Sequence, residues 1–281
     1  MALEPERART ALRRLDDLDL DRRPLLVVSD FDGTLSPIVL DPWGAQMILA
    51  ARRALRALAG RPGVHVAILS GRTARDVVER TRIGGATYLG NHGLERGRLG
   101  RGQRAAALAV SEDPAAARFA RRIAQLSTEV ARRVDAPWLV VEPKPPAVAF
   151  HFRAAPDVAE AGRRVAAAVD AVDPEAVFVR FPGRRVLELR PPGAAGKGDA
   201  MRSLLRELRP ALTFALGDDV SDALAFAELR RARTAGRTQG LAIAVQAHAE
   251  APPDVSAAAD LLLASPAEAA RFLSGLARRV R

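Results

Sequence analysis

The sequence predicts an α/β protein: a doubly wound, mainly parallel sheet in a Rossmann-like core that carries an inserted α+β cap. Three observations predict it. Short apolar runs alternate with helical stretches in the first and last thirds of the chain. The middle third changes rhythm to helix, strand, strand, twice over, with Pro/Gly joints between the strands. Acidic residues stand at the ends of apolar runs far apart in sequence, at Asp30 and at Asp218.

Residues 24–30 (PLLVVSD) are a short apolar run ending at a Gly-Thr turn, the pattern of a buried parallel strand. Residues 45–59 place apolar side chains at helical spacing and stop at Gly60 and Pro62. Residues 65–70 (HVAILS) are a second strand, followed by Gly71 and a helix to Thr81. Residues 87–89 are a third, running into Gly90, Asn91, His92 and Gly93. A Gly/Arg-rich connection, 97–104, leads to a helix at 114–134. Strands at 138–142 and 147–153 follow, around Pro143-Lys144-Pro145-Pro146, then a helix at 157–172. Strands at 176–181 and 185–190 meet at Pro182 and Gly183. Past Pro191, Pro192 and Gly193 the α/β rhythm resumes: helix 197–208, strand 212–216, helix 222–232, strand 241–245 and a closing amphipathic helix, 266–279. The expected domains are an N-terminal extension (1–23), a core (24–107 with 192–281) and a cap (108–191).

A chain of 281 residues with 48% hydrophobic content can bury a sizeable core. It has no cysteine, which excludes disulfides, zinc–thiolate sites and cysteine nucleophiles. No apolar run approaches the roughly 20 residues of a membrane helix. The Arg-rich start also carries acids and lacks the apolar stretch of a signal peptide. A cytoplasmic protein without membrane contact is expected. The net charge of +10 raises nucleic acid as a partner. Yet all but two of the 43 basic residues are arginine, scattered along helical stretches, and aromatics at 4% are too few for a base-stacking surface. No nucleic-acid partner is expected. The two lysines, Lys144 and Lys197, break the arginine habit.

Ligands of a parallel sheet bind beyond the carboxyl ends of its strands. Three such ends carry polar groups: Asp30 and Asp32, Ser70, and Asp218 with Asp219. The acids could simply begin turns. Paired carboxylates at a buried strand end, however, repel each other unless a cation lies between them. Four of them in a basic chain point to a hard divalent ion, and Mg²⁺ is the usual one beside phosphate. Ser70 can cap the next helix or hold a phosphate oxygen. Lys197 opens a helix, where a cation opposes the dipole, so it suits charge balance better than helix stability. It is not in a P-loop: Pro191 stands where a glycine is needed, and Gly198 replaces the Ser/Thr. No GxSxG elbow supports acyl hydrolysis. These parts predict phosphoryl hydrolysis. Asp30 attacks phosphorus to form an aspartyl-phosphate. Asp32 acts as acid and then base. Ser70 and Lys197 hold phosphoryl oxygens.

The set resembles the haloacid dehalogenase superfamily, whose phosphatases carry DxDGT, a Ser/Thr motif, a lysine and a GDD-type motif in this order. More narrowly, six segments resemble the trehalose-6-phosphate phosphatase family over residues 24–280. They are DFDGTLSPI (30–38), LSGR (69–72), GNHGLE (90–95), EPKPPAVAFHFR (142–153), LELRPPGAAGKGDA (187–200) and GDDVSD (217–222). The resemblance implies Asp30 as nucleophile and Asp32 as general acid/base. It implies Mg²⁺ held by the Asp30 carboxylate, the Asp32 carbonyl and Asp218, with Asp219 and Asp222 nearby. It implies substrate contacts from Gly71, Arg72, Asn91 and His92, and, on the sugar side, from Glu142, Lys144, Arg153 and Glu188. Carboxylates accepting from hydroxyls, and cations donating to them, make chemical sense of that cap set. The implied reaction is hydrolysis of trehalose 6-phosphate, a small-molecule sugar phosphate, as the last step of trehalose biosynthesis, paired functionally with a trehalose-phosphate synthase. Sucrose 6-phosphate or a glycosyl phosphoglycerate is the alternative ester. A non-catalytic regulatory subunit is the alternative role, against which the intact Asp30, Asp32, Lys197 and Asp218 speak. The chain departs from the family pattern at Phe31, where tyrosine is common, and at Ala223 and Leu224, where an acidic pair is usual.

Overall fold

The computed structural model describes residues 4–39, 41–183, 185–246 and 253–281. Thirteen strands run among the described residues. The first six are β1 (Pro5–Glu6), β2 (Leu25–Ser29), β3 (Val64–Leu69), β4 (Thr87–Gly90), β5 (Glu95–Arg98) and β6 (Val110–Glu112). Four follow in the middle of the chain: β7 (Val140–Lys144), β8 (Ala147–His151), β9 (Val179–Gly183) and β10 (Val186–Arg190). The last three are β11 (Leu212–Gly217), β12 (Gln239–Val245) and β13 (Leu261–Leu263).

The core sheet has the order β1-β13-β12-β11-β2-β3-β4-β5-β6. The pairs from β1 across to β4 are parallel, and β4 with β5 is antiparallel. β2 is buried at all five positions because helices cover both faces of the sheet. Leu25 and Val27 enter one apolar cluster; Leu26 and Val28 enter the other, with Met201, Leu204, Phe226 and Leu229. Chain order reverses beside β2, which has β11 on one side and β3 on the other. Such a switch point leaves a crevice at the carboxyl ends of the strands.

The second sheet, β7-β8-β10-β9, is antiparallel throughout. Its alternation is regular. Val148, Phe150, Leu187 and Leu189 pack on Ile123, Val130, Val165 and Val169 of the helices Ala120–Val134 and Val158–Val172. The opposite face carries Glu142, Lys144, His151, Glu188 and Arg190, as the strand registers require. The chain divides into two compact units, residues 1–111 with 195–281, and residues 112–194.

Several elements differ from the sequence expectations. Residues 1–23 were expected as an extension outside the core, and residues 1–3 lie outside the described set. In the structure β1 pairs with β13, and Ala8, Ala11 and Leu15 are buried in the core cluster. Glu268 accepts a hydrogen bond from the Ala8 amide at 2.7 Å. The expected connection at 97–104 begins as the end of β5, with Gly97 opposite Tyr88. The helix expected at 114–134 is two, Pro114–Ala117 and Ala120–Val134. The strand expected to reach residue 153 ends at His151, which puts Arg153 beyond it. The strand expected from 176 begins at Val179, after Asp173 accepts the Phe178 amide. β13 and the helix Pro253–Ala258 were not expected. No helix among the described residues is long and apolar enough to cross a membrane.

Candidate active site

Two neighbouring strand ends build the centre of the core site. β2 delivers Asp30, whose amide donates to the Leu216 carbonyl of β11 at 3.0 Å. β11 delivers Asp218 directly after Gly217. The helix Val220–Thr234 starts at once, capped by Asp219, and presents Asp222 in its first turn. Asp222 Oδ2 accepts from the amides of Asp218 and Asp219, each at 3.2 Å. One carboxylate oxygen each from Asp30, Asp218 and Asp222 lies within 4.8 Å of the others, and all three residues are buried.

Close packing here leaves no room for side chains at two glycines. A Cβ on Gly33, whose φ is +74°, would stand 2.0 Å from Asp218 Oδ2. A Cβ on Gly217 would stand 2.3 Å from Asp222 Cγ. Thr34 adds a hydroxyl that donates to Asp218 Oδ1 at 3.2 Å.

Lys197 is the first residue of the helix Lys197–Leu208 and is only 3% exposed. Its Nζ lies 2.7 Å from Asp30 Oδ1 and 2.8 Å from Asp222 Oδ1. Burial alone would push this ammonium down; the carboxylates of Asp222 and Asp30 outweigh burial and hold it above its ordinary value. Burial pushes the Asp30 carboxyl up to about 7, with Lys197 opposing and Asp222 and Asp32 adding to the rise. Asp218 is raised well above the carboxylate range by burial and then by Asp30 and Asp222. Asp222 is raised by burial against the pull of Lys197. If fully ionised, three carboxylates against one ammonium would leave a buried deficit of two positive charges. An all-oxygen, closely spaced donor set with that deficit fits a hard divalent cation.

The structure separates the roles of the other expected residues. Asp32 turns to Arg72, which grips both its oxygens, Nε to Oδ2 at 2.7 Å and the second terminal nitrogen to Oδ1 at 2.8 Å. Arg72 also bonds Asp76 at 2.9 Å and lies over the Phe31 ring, 5.5 Å from its centroid. Ser70 is buried, and its hydroxyl accepts from the Arg72 amide at 3.2 Å. Thr73, not Ser70, caps the next helix by accepting from the Asp76 amide. Asn91 and His92 follow β4 with φ of 49° and 59°. Their amides donate to the carbonyls of Arg72 and Ser70, which ties the two loops together. Gly71 is closely packed there too: a Cβ would stand 2.7 Å from His92 Nε2. Asp219 is exposed and bonds its neighbour's amide, outside the carboxylate cluster. Leu224 is 57% exposed.

In the cap unit, Glu142 and Glu188 both stand opposite Ala149, from the strands on either side of it. Lys144 Nζ lies 3.2 Å from Glu188 Oε2 and 4.0 Å from Glu142 Oε2. His151 Nε2 is 2.8 Å from Glu142 Oε2, and Arg190 Nε is 2.6 Å from Glu188 Oε1. Sequence reasoning missed His151, Arg190, Thr34 and Asp76. Arg190 had a readable signal, since positions i and i+2 of a strand share a face. Asp76 had one too, four residues from both Arg72 and Arg80, while His151 and Thr34 depend on contacts that no local pattern announces.

The chain matches the family model described as trehalose-phosphatase over residues 28–265. It is 36% identical over 256 residues to the trehalose-phosphate phosphatase of Mycobacterium avium (strain 104), covering 89% of this chain and 61% of that protein. It thus spans about three-fifths of the length of that relative. Among solved structures, the C-terminal domain of C. albicans trehalose-6-phosphate phosphatase is similar with a TM-score of 0.75 at 20% identity, covering 98% of each chain. The C-terminal domain of a Candida albicans trehalose synthase regulatory protein gives 0.67 at 12% identity, covering 98% of this chain and 99% of that one. At those identities the two structures speak for the fold alone.

Proposed function

The chain belongs to the trehalose-phosphatase family, and from that premise we propose that it is a magnesium-dependent phosphomonoesterase that hydrolyses trehalose 6-phosphate to trehalose and phosphate. The observation that carries this reading is the buried Asp30 carboxylate, with one oxygen fixed by Lys197 and a cluster of oxygen donors beside it. Because Lys197 occupies Oδ1, Oδ2 is the attacking atom. It forms a bond to phosphorus in line as the bond to the sugar oxygen breaks, and Asp32 gives that oxygen its proton. Water then attacks the aspartyl-phosphate, its proton goes to Asp32, and the bond to Asp30 breaks to release phosphate. Arg72 holds both Asp32 oxygens, so the acid step requires Asp32 to exchange at least one of these bonds.

Asp30, Asp218 and Asp222 are the carboxylates that would hold Mg²⁺, with the Asp32 carbonyl as a further donor. When bound, the ion supplies positive charge against the phosphoryl oxygens. Ser70 and Lys197 position the phosphoryl group, and the loops of Gly71, Arg72, Asn91 and His92 line its approach. Glu142, Lys144, Arg153 and Glu188 recognise the sugar. A trehalose-phosphate synthase is the partner that would supply the substrate.

The test is phosphate release from a panel of sugar phosphates, with Mg²⁺ and with chelator. Trehalose 6-phosphate with Mg²⁺ is expected to be the best combination. Preference for sucrose 6-phosphate or a glycosyl phosphoglycerate would overturn the substrate, and no release from any ester would favour a regulatory role.

A further inference from the structure

The cap holds two glutamates, and each is tied to a side chain that the reaction itself does not call for. Glu142 on β7 and Glu188 on β10 flank Ala149 on β8, so both stand in one row on one face of the sheet. Neighbouring strands of a sheet are about 4.8 Å apart, so the two carboxylates rise from strands about 10 Å apart. On this face the middle strand between them offers the methyl groups of Ala147 and Ala149 and, at its end, the His151 ring. Two acidic walls over an alanine floor form a trough.

A glutamate on a strand swings about three side-chain torsions, so a trough of this kind is vague unless something holds each carboxylate. Here each is fixed. His151, one row along β8, meets Glu142 Oε2 at 2.8 Å through Nε2. A carboxylate oxygen accepts, so Nε2 carries the hydrogen. Arg190, two residues along β10 from Glu188, meets Glu188 Oε1 at 2.6 Å through Nε. The Arg190 guanidinium is itself laid over the Phe181 ring, 4.1 Å from the centroid, by the neighbouring strand β9. Lys144 reaches toward both glutamates and so links the two walls. His151 and Arg190 thus belong to one network with Glu142, Lys144 and Glu188.

We propose that His151 and Arg190 are positioning residues that aim Glu142 and Glu188 at the hydroxyl groups of a polyol ring, and so set the preference for a sugar ester over a simple one. The proposal rests on the phosphatase reading above. In this role neither residue acts on the phosphoryl group. Each instead limits the directions in which its glutamate can accept a hydroxyl hydrogen. A vicinal diol needs two acceptors at fixed separation, and an ester lacking hydroxyls needs none.

The experiment compares kcat/KM for the best sugar phosphate of the panel with kcat/KM for p-nitrophenyl phosphate, in the same Mg²⁺-containing protein. Four proteins are measured: the parent, His151→Ala, His151→Gln and Arg190→Met. Gln keeps an N–H donor, and Met keeps an apolar stem over Phe181 while removing the donor. His151→Ala and Arg190→Met are expected to lower the sugar-to-simple-ester ratio about ten- to a hundredfold, the range for a charge-assisted hydrogen bond. The loss is expected in KM for the sugar phosphate, with kcat nearly held and p-nitrophenyl phosphate turnover unchanged. His151→Gln is expected to recover most of the ratio. Equal loss on both esters, or an unchanged ratio in Arg190→Met, would overturn the proposal. Should His151→Ala unfold, His151→Gln and Arg190→Met still decide it. If the best substrate is not trehalose 6-phosphate, the substrate assignment falls, while the ratio measured on that best substrate still judges the positioning.

Discussion

The core cluster and the cap network are both buried assemblies of charge, and they are balanced in opposite ways. In the core, Asp30, Asp218 and Asp222 face a single ammonium, Lys197. In the cap, Glu142 and Glu188 face Lys144 and Arg190, with His151 in addition. The core therefore lacks positive charge until a divalent ion or its equivalent arrives. In the cap, each glutamate has a basic side chain against it. Under the proposed function, the difference separates two tasks. A site that handles a phosphoryl group gains from a cation it can share with the ligand. A site that recognises neutral hydroxyls gains from acceptors already held in place.

The largest expected effect tests the nucleophile. Asp30→Asn keeps the shape and removes one charge from the over-acidic cluster. Turnover is expected to fall by about 10⁴-fold or more, while the melting temperature in chelator holds or rises. Retained turnover would remove Asp30 from the role. The next effect is on stability. Lys197→Met takes the ammonium away from the three core carboxylates, and breaking a buried pair in this way costs about 3–5 kcal/mol. Denaturant unfolding in chelator is expected to show that loss, and Mg²⁺ is expected to return part of it. Glu188→Gln in the cap is expected to show no such recovery.

The third effect, spread gradually over several pH units, is the dependence of stability on pH. The Asp30 carboxyl sits at about 7 in the folded chain against an ordinary 3.8. Between those values the native state holds a proton that the unfolded chain has released. The stability of the metal-free chain is therefore expected to fall as pH rises from about 4 toward 7, and to level off above it. Saturating Mg²⁺ is expected to flatten this slope, because a bound cation favours the ionised carboxylates. Thermal unfolding at several pH values, with chelator and with Mg²⁺, checks it. A slope of opposite sign in chelator would contradict the charge deficit.

What could be read from the sequence was local. The apolar run of β2 and the acids that follow it are contiguous, so Asp30 and Asp32 stood out as a strand end. Lys197 stood out because lysine is rare in this chain. What could not be read was pairing at a distance. Nothing in the segment around Asp32 announces that Arg72, 40 residues on, grips both its oxygens. The His151–Glu142 contact follows from the register of a hairpin, which a one-residue slip would abolish. The break near Phe119 has no proline or glycine to mark it. β1 is two residues long, too short for any period to register.

That shortest strand has a consequence for how the molecule behaves in company. An uncovered parallel edge offers a row of amides and carbonyls to any extended chain that drifts past. On the β13 side of the core, that offer is taken up internally, by Pro5 and Glu6. A proline with no amide to donate makes a poor template for the next strand. These few residues thus act as a stopper against self-association, and trimming them would test solubility at high concentration before it tested the fold.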